Sequence, residues 1–134
     1  MINILAGGSF NVQGIFTAPG YSKNIDADFV KFIFSPLFLL GFGAVGFDDL
    51  QVSLGNDDGF VAGRSYPVGG QDDPAYSQLI LKVDNREFVG FAYSGEIIIE
   101  ERSETLIKGS LKLFYKMAAE GIDCDLTGTF AITP

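Results

Sequence analysis

Apolar and polar residues alternate with a period of two through most of this chain, and turn-forming residues interrupt the alternation about every ten positions. A period of two belongs to an extended backbone, whose successive side chains point to opposite faces. The clearest stretch is the β-branched run Glu96-Ile97-Ile98-Ile99-Glu100-Glu101, followed after four polar residues by Leu106–Lys116. There Ile107, Gly109, Leu111, Leu113 and Tyr115 share one face, and Lys108, Ser110, Lys112, Phe114 and Lys116 share the other. Lysines 108, 112 and 116 also fall at helical spacing, so a helix competes for this segment. Gly109 and Ser110 in its middle favour the strand.

The same reading predicts strands over Phe10–Thr17, Ile25–Phe34, Leu50–Leu54, Phe60–Ala62, Gln78–Val83, Arg86–Tyr93, Glu96–Glu101 and Cys124–Ile132. A short edge piece is expected at Tyr66-Pro67-Val68, because proline cannot donate to a central ladder. Asp84-Asn85 between two β-rich runs predicts a tight hairpin, since both residue types tolerate positive φ. Asn56-Asp57-Asp58-Gly59 predicts a turn. The charge-free segment from Phe32 to Phe47 is 16 residues long and contains Pro36, Gly41, Gly43 and Gly46. It is too short and too broken for a membrane span. Two buried strands joined at Ser35-Pro36 account for it, with the glycines marking a sharp bend or a close approach to another backbone. The only helical candidate is one turn over Lys116–Glu120. The expected fold is all-β: one domain over residues 1–134, an antiparallel sandwich or flattened barrel of about eight to ten strands.

Composition narrows the chemistry. The chain has 134 residues, 47% of them hydrophobic, and carries 17 acidic against 9 basic residues for a formal charge of -8. An acidic surface repels phosphate backbones, so no nucleic-acid partner is expected. Histidine is absent, which removes the commonest general base and metal ligand. Cys124 is the one cysteine and sits between Asp123 and Asp125, whose charges disfavour a thiolate. No Gly-x-Ser-x-Gly elbow or phosphate loop occurs. The residues from Met1 to Gly8 include no basic segment, so no signal peptide is expected, and a cytoplasmic location follows if the chain is complete.

Carboxylate pairs recur at Asp26 and Asp28, Asp48-Asp49, Asp57-Asp58 and Asp72-Asp73. Asp57 and Asp58 are the weak candidates for a metal site, but the spaced ligands of a calcium loop are missing around them. No cofactor is expected. Glu100 and Glu101 are adjacent on a predicted strand, so they should point to opposite faces and not cooperate.

A pattern runs through the C-terminal half: Ser65-Tyr66-Pro67-Val68-Gly69-Gly70, Ala75-Tyr76, Ser94-Gly95-Glu96-Ile97-Ile98-Ile99-Glu100, Ile107-Lys108-Gly109-Ser110-Leu111 and Leu126-Thr127-Gly128-Thr129-Phe130. It resembles a group of small bacterial all-β domains of unknown function. Their Gly-x-Tyr segment precedes Ser-Gly and x-Gly-x-Phe strands in a meander. The resemblance covers residues 63–133, implies a meander, and transfers no catalytic or ligand residue.

Thirteen phenylalanines stand against no tryptophan. In Phe32-Ile33-Phe34 and Leu37-Phe38-Leu39-Leu40 both strand faces are apolar, and one sheet buries only one face in its own core. Phe32, Phe34, Phe38, Phe42 and Phe47 are therefore the candidate interface or ligand residues. The function expected is a non-enzymatic β-domain that forms a homo-oligomer through this segment. The alternatives are a carrier of an apolar small molecule or lipid inside a barrel and a hydrolase working through paired carboxylates.

Overall fold

A computed structural model describes residues 4–35, 37–45, 49–70, 72–83, 85–117 and 121–133. Nine strands form in chain order: β1 (Ile4–Ala18), β2 (Tyr21–Ser35), β3 (Phe38–Ala44), β4 (Leu50–Asn56), β5 (Arg64–Pro67), β6 (Ala75–Val83), β7 (Arg86–Arg102), β8 (Ile107–Met117) and β9 (Asp123–Thr133). All the ladders are antiparallel. The sheet runs β5-β7-β6-β4-β3-β2-β1-β9-β8, and β8 returns to pair with β7. That last pairing closes eight strands into a barrel and leaves β5 as an extra. Closure removes the exposed edges that an open sheet would present.

Alternation along each strand decides which side chains fill the barrel. On β8 every odd position from Ile107 to Met117 is buried, and the lysines point out. On β9 Cys124, Leu126, Phe130 and Ile132 are buried, on the face expected from their spacing. The interior is packed with rings. Phe10 lies 4.9 Å from Phe29 and 5.6 Å from Phe130, and Phe16 lies 5.0 Å from Phe88, measured between centroids. Such tilted pairs add attraction beyond the area they bury.

The bend expected among the glycines is present. On β2 the inward positions switch from Phe29 to Phe32, and on β3 from Ala44 to Gly41. Phe29 pairs with Ala44 and Phe32 with Gly41, so both strands turn a corner together without slipping register. Gly43, at φ +67°, supplies the left-handed residue in β3. Gly41 is approached closely by side chains and not by another backbone: a Cβ there would fall 2.9 Å from ring atoms of Phe10 and Phe29. Gly46 lies outside the described residues.

Three expectations change. Phe60–Ala62 is not a strand; it belongs to the excursion between β4 and β6, where Phe60 buries its ring edge-on to Tyr66 at 5.3 Å. The two segments 86–93 and 96–101 are one strand, β7, whose register with β8 shifts between Ala92 and Ser94 and again between Ile99 and Glu101. These bulges bend the strand without ending it. Lys116 and Met117 of the helical candidate end β8, and residues 118–120 lie outside the described set.

Candidate interaction surface

The strand periodicity sorts the Phe-rich segment into two groups. Phe32 and Phe34 point into the barrel, 3% and 4% exposed. Phe34 is further covered by the Arg102 guanidinium, 4.8 Å over its ring. Neither side chain is on the outer surface. Phe38 and Phe42 occupy the outward positions of β3 and are half-buried. Phe47 lies outside the described residues. The outward part of the segment is thus Phe38 and Phe42, with Ile33 and Leu40 between them in position.

The ladders extend this patch across neighbouring strands. Ile33 pairs with Leu40, Leu40 with Ser53, Ser53 with Gln78, and Gln78 with Phe91. One row over, Phe38 faces Gly55, which in turn faces Tyr76. A Cβ at Gly55 would fall 2.3 Å from Tyr76 Cζ, so the tyrosine ring lies across the glycine toward Phe38. Ile80 pairs with Val89 in another row. Phe91 is 59% exposed, and Tyr76 and Tyr93 are about half exposed. Together they form an apolar wall carried by β3, β6 and the first half of β7, with Gln51, Ser53 and Gly55 of β4 between them.

Most of the remaining outer surface is polar, with scattered exposed apolar residues such as Ile15, Val30 and Ile98. β1, β8 and β9 turn Asn11, Gln13, Lys108, Ser110, Lys112, Asp123, Asp125, Thr127 and Thr129 outward. The apolar wall is therefore a patch, not a girdle of the kind a membrane-spanning barrel presents. Among the described residues no helix is long and apolar enough to cross a membrane. Lysines border the wall: Lys31 Nζ lies 6.0 Å from the Phe42 ring centroid, and Lys116 Nζ lies 5.2 Å from that of Tyr93.

Tyr76, Ile80, Val89 and Tyr93 lie outside the Phe-rich segment that the sequence marks for this surface. The signal was there in Leu79-Ile80-Leu81 and Phe88-Val89-Gly90-Phe91, which are apolar in both alternating positions like Phe32-Ile33-Phe34. Phe88 turns inward and Phe91 outward.

The polar candidates are dispersed. Asp57 and Asp58 are exposed on the turn that Gly59 N–H closes onto Asn56 O at 3.0 Å. Among the described residues no three acidic, cysteine or histidine side chains come together to hold a metal ion. Asp26 and Asp28 both accept from Asn11 Nδ2, at 3.3 and 2.9 Å. Glu100 and Glu101 are both exposed, because the bulge after Ile99 breaks the alternation that would have separated them. Cys124 is buried inside the barrel. Burial, with Asp125 adding to it, pushes its thiol up to about 12, so it is not a nucleophile at neutral pH.

Compared with protein-family models, with curated proteins and with solved structures, the chain has no match.

Proposed function

We propose that this protein is a non-catalytic β-barrel that associates with a second copy of itself through the wall formed by Phe38, Leu40, Phe42, Tyr76, Ile80, Val89 and Phe91. The observation that carries the reading is the cluster of apolar side chains at outward positions of β3, β6 and β7, on either side of Gln51, Ser53 and Gly55 of β4, with no further layer over them among the described residues. Exposed apolar surface of this kind marks interaction sites. Aromatic residues dominate the energetics of such sites. A second copy fits the charge distribution as well. The chain is acidic by eight charges, yet lysines 31 and 116 border the wall.

The carrier reading needs a hollow interior. The ring contacts among Phe10, Phe29 and Phe130, and between Phe16 and Phe88, occupy that space. The self-association reading is tested by sedimentation over a range of concentrations. The expected result is a dimer or larger species. Phe38→Asp should weaken it at least about 30-fold, as loss of a central anchor does. Phe91→Ser should weaken it too, and Lys112→Glu on the polar wall should not. Retained β-sheet circular dichroism separates dissociation from unfolding. A chain that stays monomeric at high concentration overturns the reading.

A further inference from the structure

Among the described strands β5 has no partner on the side away from β7, and so presents an open sheet edge. β5 and β6 lie in tandem along the same side of β7: β6 covers Arg86–Phe91 and β5 covers Glu96–Ile99. β4 flanks β6 as far as the pair Asn56↔Ala75, then turns away. The lane beside β5 that a continuing β4 would have filled is therefore vacated.

A hollow of about 390 Å³ occupies this place. It is lined by Asn56, Asp58, Gly59 and Val61 on one side, by Arg64, Ser65, Tyr66 and Pro67 on the other, and by Pro74. All four residues of β5 line it, including the buried Tyr66 and its exposed neighbours. The hollow thus follows the edge of the strand and not one face. Val68 N–H donates to Gly95 O at 3.0 Å, and ladder hydrogen bonds alternate in antiparallel pairs. Tyr66 and Arg64 then bond to β7, and Ser65 turns its N–H and C=O to the open edge.

Beside the hollow lies a buried acceptor. Asn56 is 2% exposed, and its side-chain N–H donates to Gly59 O, but its Oδ1 has no donor. A buried acceptor left unpaired costs about 1–3 kcal/mol. Tyr66 Oη accepts from Val61 N–H at 2.7 Å, and its own proton has no acceptor among the described residues.

We propose that this slot receives a short extended peptide, which adds a strand to β5. Main-chain groups supply what the edge lacks: C=O groups accept from Ser65 N–H and the Tyr66 hydroxyl, and an N–H group donates to Ser65 C=O. This is recognition by strand addition, in which backbone hydrogen bonds give the affinity. Pro67, which has no N–H, ends the register and limits the guest to three or four residues. Arg64 and Asp58 place one charge of each sign in the lining, so a neutral guest suits it.

The test is a titration of nitrogen-15-labelled protein with acetyl-Thr-Val-Thr-Val-amide, followed by amide chemical shifts up to about 10 mM peptide. The expected result is saturable shifts at the Ser65 amide and the Asn56 side-chain amide, with a dissociation constant on the order of a millimolar. The same peptide N-methylated at alternate residues should bind at least about tenfold more weakly, because its donors are gone. Ser65→Pro should abolish the shifts, and its own spectrum shows whether it folds. Absence of saturation, equal shifts with the N-methylated peptide, or shifts confined to the wall around Phe38 and Phe91 would overturn the proposal.

Discussion

A hydroxyl inside an apolar barrel must find its partner there. Tyr115 on β8 and Ser77 on β6 are both fully buried, and their oxygens lie 2.7 Å apart across the interior. The pair is a small polar tie between strands that do not adjoin, since β7 runs between them. Removing one partner costs more than removing both, because the survivor keeps its desolvation penalty without its bond. Tyr115→Phe should destabilise the fold by about 1–3 kcal/mol. Adding Ser77→Ala should return part of that loss. Urea midpoints of the two single variants and the double complete the cycle, and strict additivity would show that the hydroxyls do not interact. The sequence placed Tyr115 on the inward face, but its partner lies 38 positions away and no local pattern could name it.

At the scale of elements, what the sequence encodes locally was legible. β8 and β9 fall where alternation puts them, with the expected faces inward. The β6–β7 hairpin is also where Asp84-Asn85 predicts it, and Asn85 adopts φ 63°. Asp84 lies outside the described residues. Asparagine is among the few residues that take this conformation at small cost. Asn85→Val should therefore destabilise the protein by about 1–2 kcal/mol, and Asn85→Gly by much less. Thermal unfolding distinguishes them, and equal losses would mean that the turn residue is not what matters. Two features were hidden because tertiary contacts decide them. Phe60–Ala62 has strand composition, but the ring of Phe60 is used to pack against Tyr66 at the barrel's end. The break expected near Ser94-Gly95 is a bulge, and only the continuous partner β8 shows that β7 runs through it. For the interaction surface, the residues were legible but their direction was not. Phe32 and Phe38 sit in the same apolar run, and the β2–β3 corner decides which faces the core.

At the scale of the whole molecule, closure is the step that alternation cannot specify. A sandwich and a barrel share the same inward and outward positions. What separates them is β1 pairing with β9, for example Gly7 with Thr133 and Thr17 with Asp123, together with β7 pairing with β8. Closure encloses Cys124 and Tyr115 side by side, since the two residues pair on β9 and β8. The enclosed space disfavours charge on either group. Burial, then Asp125, raises the Cys124 thiol from 9.0 to about 12, and burial raises the Tyr115 phenol well above its usual value against the opposing effect of Ser77. In the unfolded chain both groups would ionise at ordinary pH values. Above about pH 9 the unfolded state therefore gives up protons that the barrel retains. Stability must be level below that point and fall as pH rises from about 9 toward 12. Urea midpoints measured from about pH 8 to about pH 11, at one fixed protein concentration, should show this decline. In Cys124→Ala the slope should be shallower, with less change in the midpoint near neutral pH than in the slope itself. An unchanged slope in that variant would mean that the thiol is not sealed inside, and with it the closed packing of β8 against β9 would fall.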